Sequence, residues 1–458
     1  MLSTISEFKT ELKMFLLLFI AYAFFITGFH SANEGSALAL TKAIVDDKTL
    51  SIDNYRDLAS VDVSFYNGKY YSDKAPGRAF LGIPIYLIDK LFGFTQPHQV
   101  FFSMELMTAV FSALSVVLFY IFCLFMKISK RTSFILSAVY GFATILWTFS
   151  KTFFAHPYSA FFNLLALFTL LIAMRENKKK YLIYSGISFG ITFLLEYTNI
   201  FVVIFLFVYY FFKLRFKNIF LLIMPFIAVL SLLLLYNYLI FGTPFILTYS
   251  FHLSYGNIIE TIYFRSDYLK EGLNGLLFST WRGLFYYSPI LLLSFVGFFY
   301  WFRKEKDKML PLVLLLSFVT VLLFYAATPA WRGGNSYGPR YLLAIMPFIV
   351  LPMWKTIEKY GKNRTFWIIF SVLFAYSAVL VSTGSFIGPC PAESFTDPFW
   401  QQSFPLLKSG FLDSYLYGQN KYTVFVLIVV GTVLLWFILK DFNQIKNKSI
   451  KQNKSRKH

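Results

Sequence analysis

The sequence predicts an all-α polytopic membrane protein of about twelve transmembrane helices, and three observations lead there. The 458 residues are 57% hydrophobic and only 14% charged, where a soluble domain carries about 25% charged residues. Apolar runs repeatedly approach the roughly 20 residues needed to cross a bilayer. Short basic clusters punctuate those runs: Lys127 to Arg131, Arg175 to Lys180, Lys213 to Lys217, Arg303 to Lys308 and Lys355 to Arg364, with a basic tail from Lys440. Short basic loops stay on the cytoplasmic side. The net charge of +19 therefore records topology, with attraction to anionic lipid as a second effect. No nucleic-acid partner is implied.

Placing every basic cluster inside gives expected spans near residues 13–29, 100–126, 132–150, 154–174, 181–195, 198–212, 218–241, 284–302, 309–327, 341–354, 365–387 and 421–439. Both termini are then cytoplasmic. Four segments lie outside: 30–99, 242–283, 328–340 and 388–420. The expected organisation is one transmembrane domain over 1–440, with 30–99 as its first extracytoplasmic loop and 441–458 as a basic cytoplasmic tail. The run from Met14 to Phe29 has no small-x-small cleavage site close behind it and is expected to remain as the first helix.

Residues 181–212 must cross an even number of times between two inside clusters. As helix they extend about 48 Å, while two full crossings of the core need about 60 Å. Two short helices meeting at Leu195 to Asn199 are expected, with Glu196 in the embedded turn. A carboxylate at that depth needs a cavity or a partner. Either a functional role or local pairing with Tyr and Asn side chains would satisfy it.

The outer segments collect the chemistry. Asn33 and Glu34 stand at the exit of the first span. Ser36 to Val45 reads as an amphipathic helix, apolar at Ala37, Leu38, Leu40, Ala43 and Ile44, with Asp46 and Asp47 past its end. "FYNGKYYSDKAPG" reads as a hairpin around Asn67-Gly68, followed by Asp73 and Lys74 in a turn. Arg78 to Phe94 is expected to lie as a helix on the membrane surface. Farther along, "GLLFSTWRGLFYYSP" carries Arg282, and "ATPAWRGGNSYGPRY" carries Arg332 and Arg340. Arg suits bidentate phosphate binding, and Gly beside it admits a head group close to the backbone. Any one of these cations reads as a loop residue. Together with Lys74 and Arg78 they read as an anionic head-group site. His156 and His252, also near the outer boundary, are candidates to touch sugar or phosphate, or to serve structure alone. Cys123 and Cys390 fall on opposite sides and predict no disulfide. No Cys/His spacing marks a metal centre, although Asp46, Asp47 or Glu34 could recruit a divalent cation.

The strings "SANEGSALALTKAIVDD", "YYSDKAPG", "FGTPF", "RGLFYYSP" and "WRGGNSYGPRYLL" resemble those of the integral-membrane glycosyltransferases of the C-type fold, such as protein O-mannosyltransferases and lipid A aminoarabinose transferases. The resemblance covers roughly residues 10–390. It implies a polyprenyl-phosphate-linked sugar donor, a lipid, glycan or protein acceptor, contact with membrane lipids, and an active site on the extracytoplasmic side of the plasma membrane. It places the catalytic carboxylate at Glu34. Where the well-known members show an acidic pair, Asn33 precedes Glu34 here, so Asp46 and Asp47 are alternative bases. The implied step has Glu34 take the acceptor proton, its pKa raised near the membrane. Lys74 and the arginines hold the leaving phosphate, and Asp73 orients it or contacts sugar hydroxyls. The competing class is a transporter or flippase for lipid-linked sugars. It predicts internal repeats and midplane polar residues; the chain shows no repeat, and its polar residues gather at the outer ends of spans. A scaffold protein would not need Arg and Gly concentrated on one face.

Overall fold

The computed structural model describes residues 2–214, 218–253 and 265–411. Helices stand where the apolar runs are, from Leu2–Ala23 to Arg364–Ile387. The expected span at 421–439 lies outside the described residues. Among the described residues, five helices are long and apolar enough to cross a membrane: Pro97–Phe125, Ala155–Glu176, Phe220–Phe241, Met309–Ala326 and Arg364–Ile387. A sixth results if Arg340–Val350 and Met353–Tyr360, bent by 43°, form one span. The expected first span falls on the 22-residue helix Leu2–Ala23, and other expected spans are occupied by shorter helices, such as Lys130–Phe142 and Leu292–Lys304.

The 181–212 stretch divides as its length requires. Helix Lys180–Leu195 ends at Glu196, whose backbone is extended (φ −155°), and a short turn leads into Ile200–Leu214. The break is held by buried amides. Asn199 Nδ2 donates to Ser159 Oγ (2.9 Å) and Thr192 O (2.8 Å), and Asn163 Nδ2 donates to Asn199 Oδ1 (3.1 Å). Thr192 Oγ1 closes the set by donating to Asn163 Oδ1 at 2.9 Å. Satisfied networks of this kind in a low-dielectric interior fix one geometry. Gly186 and Gly190, one turn apart, let Lys180–Leu195 meet Phe220–Phe241 closely. A Cβ at Gly186 would fall 2.2 Å from Leu222 O, and one at Gly190 would fall 2.4 Å from Val229 Cβ. This is the small-residue contact that membrane helices use where lipid supplies no hydrophobic drive.

The first outer segment is a compact cap. Its helix runs Ala32–Lys42 and is buried from Glu34 to Lys42, so it is an interior helix where an amphipathic one was expected. Strands Val63–Tyr66 and Lys69–Ser72 pair antiparallel across Asn67 and Gly68, both with positive φ, as a two-residue hairpin demands. The second outer segment adds to that hairpin: Leu253 N donates to Val63 O (2.9 Å), and Ser64 Oγ donates to Thr248 O (2.6 Å). Leu40, Ile52, Val63, Tyr71 and Ala79 of the cap share an apolar cluster with Leu194, Leu233, Tyr236 and Phe241 of the helices. Helix Gly77–Leu91 follows the hairpin, and its end presents Leu87, Ile88, Leu91 and Phe92 to the outside. That apolar face fits the expected position at the membrane surface.

Candidate active site

A cavity of about 300 Å³, counting its open mouth, lies where the cap meets the helix ends. Its wall is built from separate stretches of chain: Asn33, then Lys74, Ala75 and Arg78, then Phe154, Ala155 and His156, then Leu195 and Glu196, and finally Arg340. Of the residues singled out in the sequence, Lys74, Arg78, His156, Glu196 and Arg340 are brought together here.

Each arrives for a structural reason. The Ser72–Pro76 turn holds Lys74, and Thr248 Oγ1 ties that turn down by donating to Asp73 O at 2.9 Å. Gly77 lets the turn press onto the end of Lys180–Leu195, next to Glu196. Arg78 is buried. Its guanidinium donates to Asn33 Oδ1 (2.6 Å), Asn33 O (2.8 Å) and Phe153 O (2.5 Å). It thereby joins the first outer helix to the loop before Ala155–Glu176. Arg340 lies over the rings of Phe154 (5.0 Å) and Tyr341 (5.4 Å), and Tyr341 stacks on Tyr325 at 3.9 Å.

The electrostatics favour an anion. Lys74, Arg78 and Arg340 face a single carboxylate, Glu196, among the lining residues. Arg78 Nε, Arg340 Nε and His156 Nε2 are each buried without a hydrogen-bond partner. Unpaired buried donors are costly, and phosphate oxygens would pair them. Lys74 Nζ sits 2.6 Å from Asp73 Oδ2 and 3.4 Å from Asp62 Oδ2. Burial works against the ammonium, but these two carboxylates more than offset it and raise its pKa. Asp73 is pushed upward by burial despite Lys74. It accepts from Ser36 Oγ (3.2 Å) and lies 3.6 Å from His252 Nε2. His252 is held below its ordinary pKa by burial, with Asp73 opposing. The donor atoms of Asp62, Asp73 and His252 lie within 4.8 Å of one another and could hold a divalent cation. The Lys74 ammonium already supplies positive charge to both carboxylates there.

Glu34 is placed differently from expectation. It is not among the residues that line the cavity, and its side chain is fully buried. Oε2 accepts from His30 N (2.9 Å) and Ser31 N (3.2 Å), and Oε1 accepts from Phe153 N (2.7 Å). With Ser31 as N-cap this is a capping box. Burial raises the Glu34 pKa to about 7 against those three hydrogen bonds and the Arg78 charge. The alternative carboxylates are also engaged elsewhere. Asp46 accepts from Lys90 Nζ (2.7 Å) and Tyr86 Oη (2.6 Å), and Asp47 accepts from Asn54 Nδ2 (2.9 Å).

Two of the expected arginines also stay away from the cavity. Arg282 is buried and donates to Arg332 O (2.6 Å), Gly334 O (2.7 Å) and Trp281 O (2.9 Å), pinning the following outer loop. Arg332 pairs with Glu271 at 2.8 Å on a partly exposed face. Two residues to which the sequence assigned no binding role belong to this region. Asn33 lines the cavity, and its signal was its place beside Glu34. Asp62 flanks Lys74, and nothing in its local sequence marks it.

No protein-family model matches the chain, and no curated protein does. Solved structures do. The Archaeoglobus fulgidus oligosaccharyltransferase tethered with an acceptor peptide aligns with TM-score 0.52 at 11% identity, over 88% of this chain and 58% of that one. ArnT from Cupriavidus metallidurans bound to undecaprenyl phosphate aligns with TM-score 0.49 at 12% identity, over 83% of this chain and 69% of that one. This chain therefore spans little more than half the length of the oligosaccharyltransferase. The likeness lies in the fold: over most of its length the chain shares the fold of the Archaeoglobus fulgidus oligosaccharyltransferase.

Proposed function

We propose that the protein transfers a sugar from a polyprenyl-phosphate donor to an acceptor on the extracytoplasmic side of the plasma membrane. The observation that carries this is the cavity itself. Three cationic side chains and His156 converge there from distant parts of the chain, and three of those four residues hold a buried nitrogen without a partner. A phosphate would satisfy them, and the apolar surface helix after Lys74 would flank the lipid. Fixed cations in a water-poor site stabilise charge as it develops on the leaving phosphate.

In this reading Lys74, Arg78 and Arg340 hold the phosphate. Asp73 keeps Lys74 charged and aimed, His252 supports Asp73, and His156 meets the sugar or the phosphate. Arg282 shapes the loop that delivers Arg340. The transmembrane frame, with about twelve crossings and the four outer segments on one side, orients the donor. The sugar and the acceptor class stay open on this geometry. The test is direct: incubate purified protein in lipid nanodiscs with synthetic undecaprenyl-phosphate hexoses and pentoses, and follow release of undecaprenyl phosphate by mass spectrometry. Release from a donor by the wild type, and its loss in Arg340→Gln, is the expected result. Translocation of donors with no release would favour a flippase.

A further inference from the structure

We infer that Glu196 is the base that activates the acceptor hydroxyl; this assignment rests on the transferase reading above. A base must face the sugar. Glu34 is not among the residues that line the cavity, and three backbone N–H groups donate to its carboxylate. Asp73 also stands outside the lining, bound to Lys74 and Ser36. Glu196 is the carboxylate that lines the cavity, and it does so together with Lys74, Arg78 and Arg340.

Its position is built. The residue stands at the extended link between two helices, and the Ser159–Asn163–Thr192–Asn199 network fixes that link on one side. On the other side Gly77 seats the Lys74 turn against Leu194 and Leu195. Thr198 and Tyr325 hold the next turn through a 2.8 Å hydroxyl contact. A carboxylate placed this firmly in a membrane protein is expensive unless it works.

The charges around it suit the step. The groups acting on Glu196 across the cavity are Lys74, Arg78 and Arg340. They favour its ionised form, while burial, the larger influence, and nearby Asp73 oppose it. A donor phosphate takes up the same cations, so their hold on Glu196 slackens and its basicity rises once the donor is seated. Proton transfer then balances as follows. The acceptor O–H gives its proton to the Glu196 carboxylate as its oxygen bonds to the anomeric carbon. The bond from that carbon to the phosphate oxygen breaks, and its electron pair stays on the phosphate. Polyprenyl phosphate leaves, and Glu196 later returns the proton to water.

The experiment uses full-length protein in nanodiscs, with undecaprenyl phosphate as the binding probe and the undecaprenyl-phosphate sugars above as donors. Glu196→Gln should retain undecaprenyl phosphate within about twofold and lose transfer by at least about 100-fold, the scale of a lost general base. Glu196→Ala should regain part of its transfer with added formate. Glu196→Gln transfer within about fivefold of wild type overturns the assignment while leaving the transferase reading intact. Loss of lipid retention together with transfer, without formate rescue, makes Glu196 structural and also overturns it. A wild-type protein that transfers from none of the donors overturns the transferase reading, and the assignment with it.

Discussion

Gly77 lies against the backbone of Leu194 so closely that a Cβ at position 77 would stand 2.5 Å from the Leu194 carbonyl oxygen and 2.8 Å from Leu195 N. The Lys74 turn and the Glu196 link thus meet through a glycine, which explains why a Pro-Gly pair follows the Asp-Lys pair. Neither neighbour can yield, because both contacts are backbone. Gly77→Ala should therefore cost about 1–3 kcal/mol, the usual penalty of overpacking, and should separate the two walls of the cavity. Thermal unfolding and donor release would both fall. A variant matching wild type in both measurements would contradict this packing.

Arg340 and Arg282 should behave differently although both sit in Gly-rich outer segments. Arg340→Gln removes a cation from the cavity, and hydrogen bonds to charged groups contribute about 1.5–3 kcal/mol. Undecaprenyl phosphate affinity should weaken by roughly 10–100-fold. Arg282→Gln instead removes the buried guanidinium that holds the 332–334 loop through its carbonyls, so about 1–3 kcal/mol of stability should go. Lipid-binding titration and thermal unfolding of both variants separate the two roles. Equal affinity in Arg340→Gln and wild type would remove Arg340 from the phosphate site.

Glu34 should give the fold an acid-side advantage. Its pKa is raised by burial from the ordinary 4.5 to about 7, so between those values the native state binds a proton that the unfolded chain has lost. Stability from this group is complete below about pH 4.5 and is lost as pH rises through about 7. Melting temperature should fall across that window and level off above it. Glu34→Gln should flatten the slope and lower stability by about 1–3 kcal/mol, because the amide cannot satisfy all three N–H donors. An unchanged slope in the variant would assign the pH dependence elsewhere.

Topology can be checked with single cysteines in a background lacking Cys123 and Cys390. Ser60→Cys and Asn335→Cys, both at exposed positions, should react with an impermeant maleimide on intact cells. Lys306→Cys, also exposed, should react only after permeabilisation. Labelling of position 335 only after permeabilisation would break the expected alternation.

Much of the frame was readable because it follows from solvent. Apolar runs must hide from water, basic loops resist translocation, and a stretch too short for two full crossings must break, as it does at Glu196. The hairpin at Asn67-Gly68 and the helix after Lys74 were legible for similar local reasons: positive φ at the turn, and an apolar face with charged flanks. The capping role of Glu34 was also written there, since Ser31 and Glu34 stand three residues apart, but the same carboxylate served the family resemblance equally well.

What the sequence alone left open was which polar side chains share a space. Lys74, Arg78, His156, Glu196 and Arg340 come from distant segments, and their meeting depends on how helices cross and how the cap seats on them. Arg282 and Arg340 look alike in sequence, each beside Gly and aromatic residues. Yet one is enclosed by backbone carbonyls while the other lines the cavity. Local composition fixes where a charge interrupts the apolar runs. Only the packing of non-local elements fixes what that charge faces, because side-chain direction is set by the neighbours that occupy the remaining space.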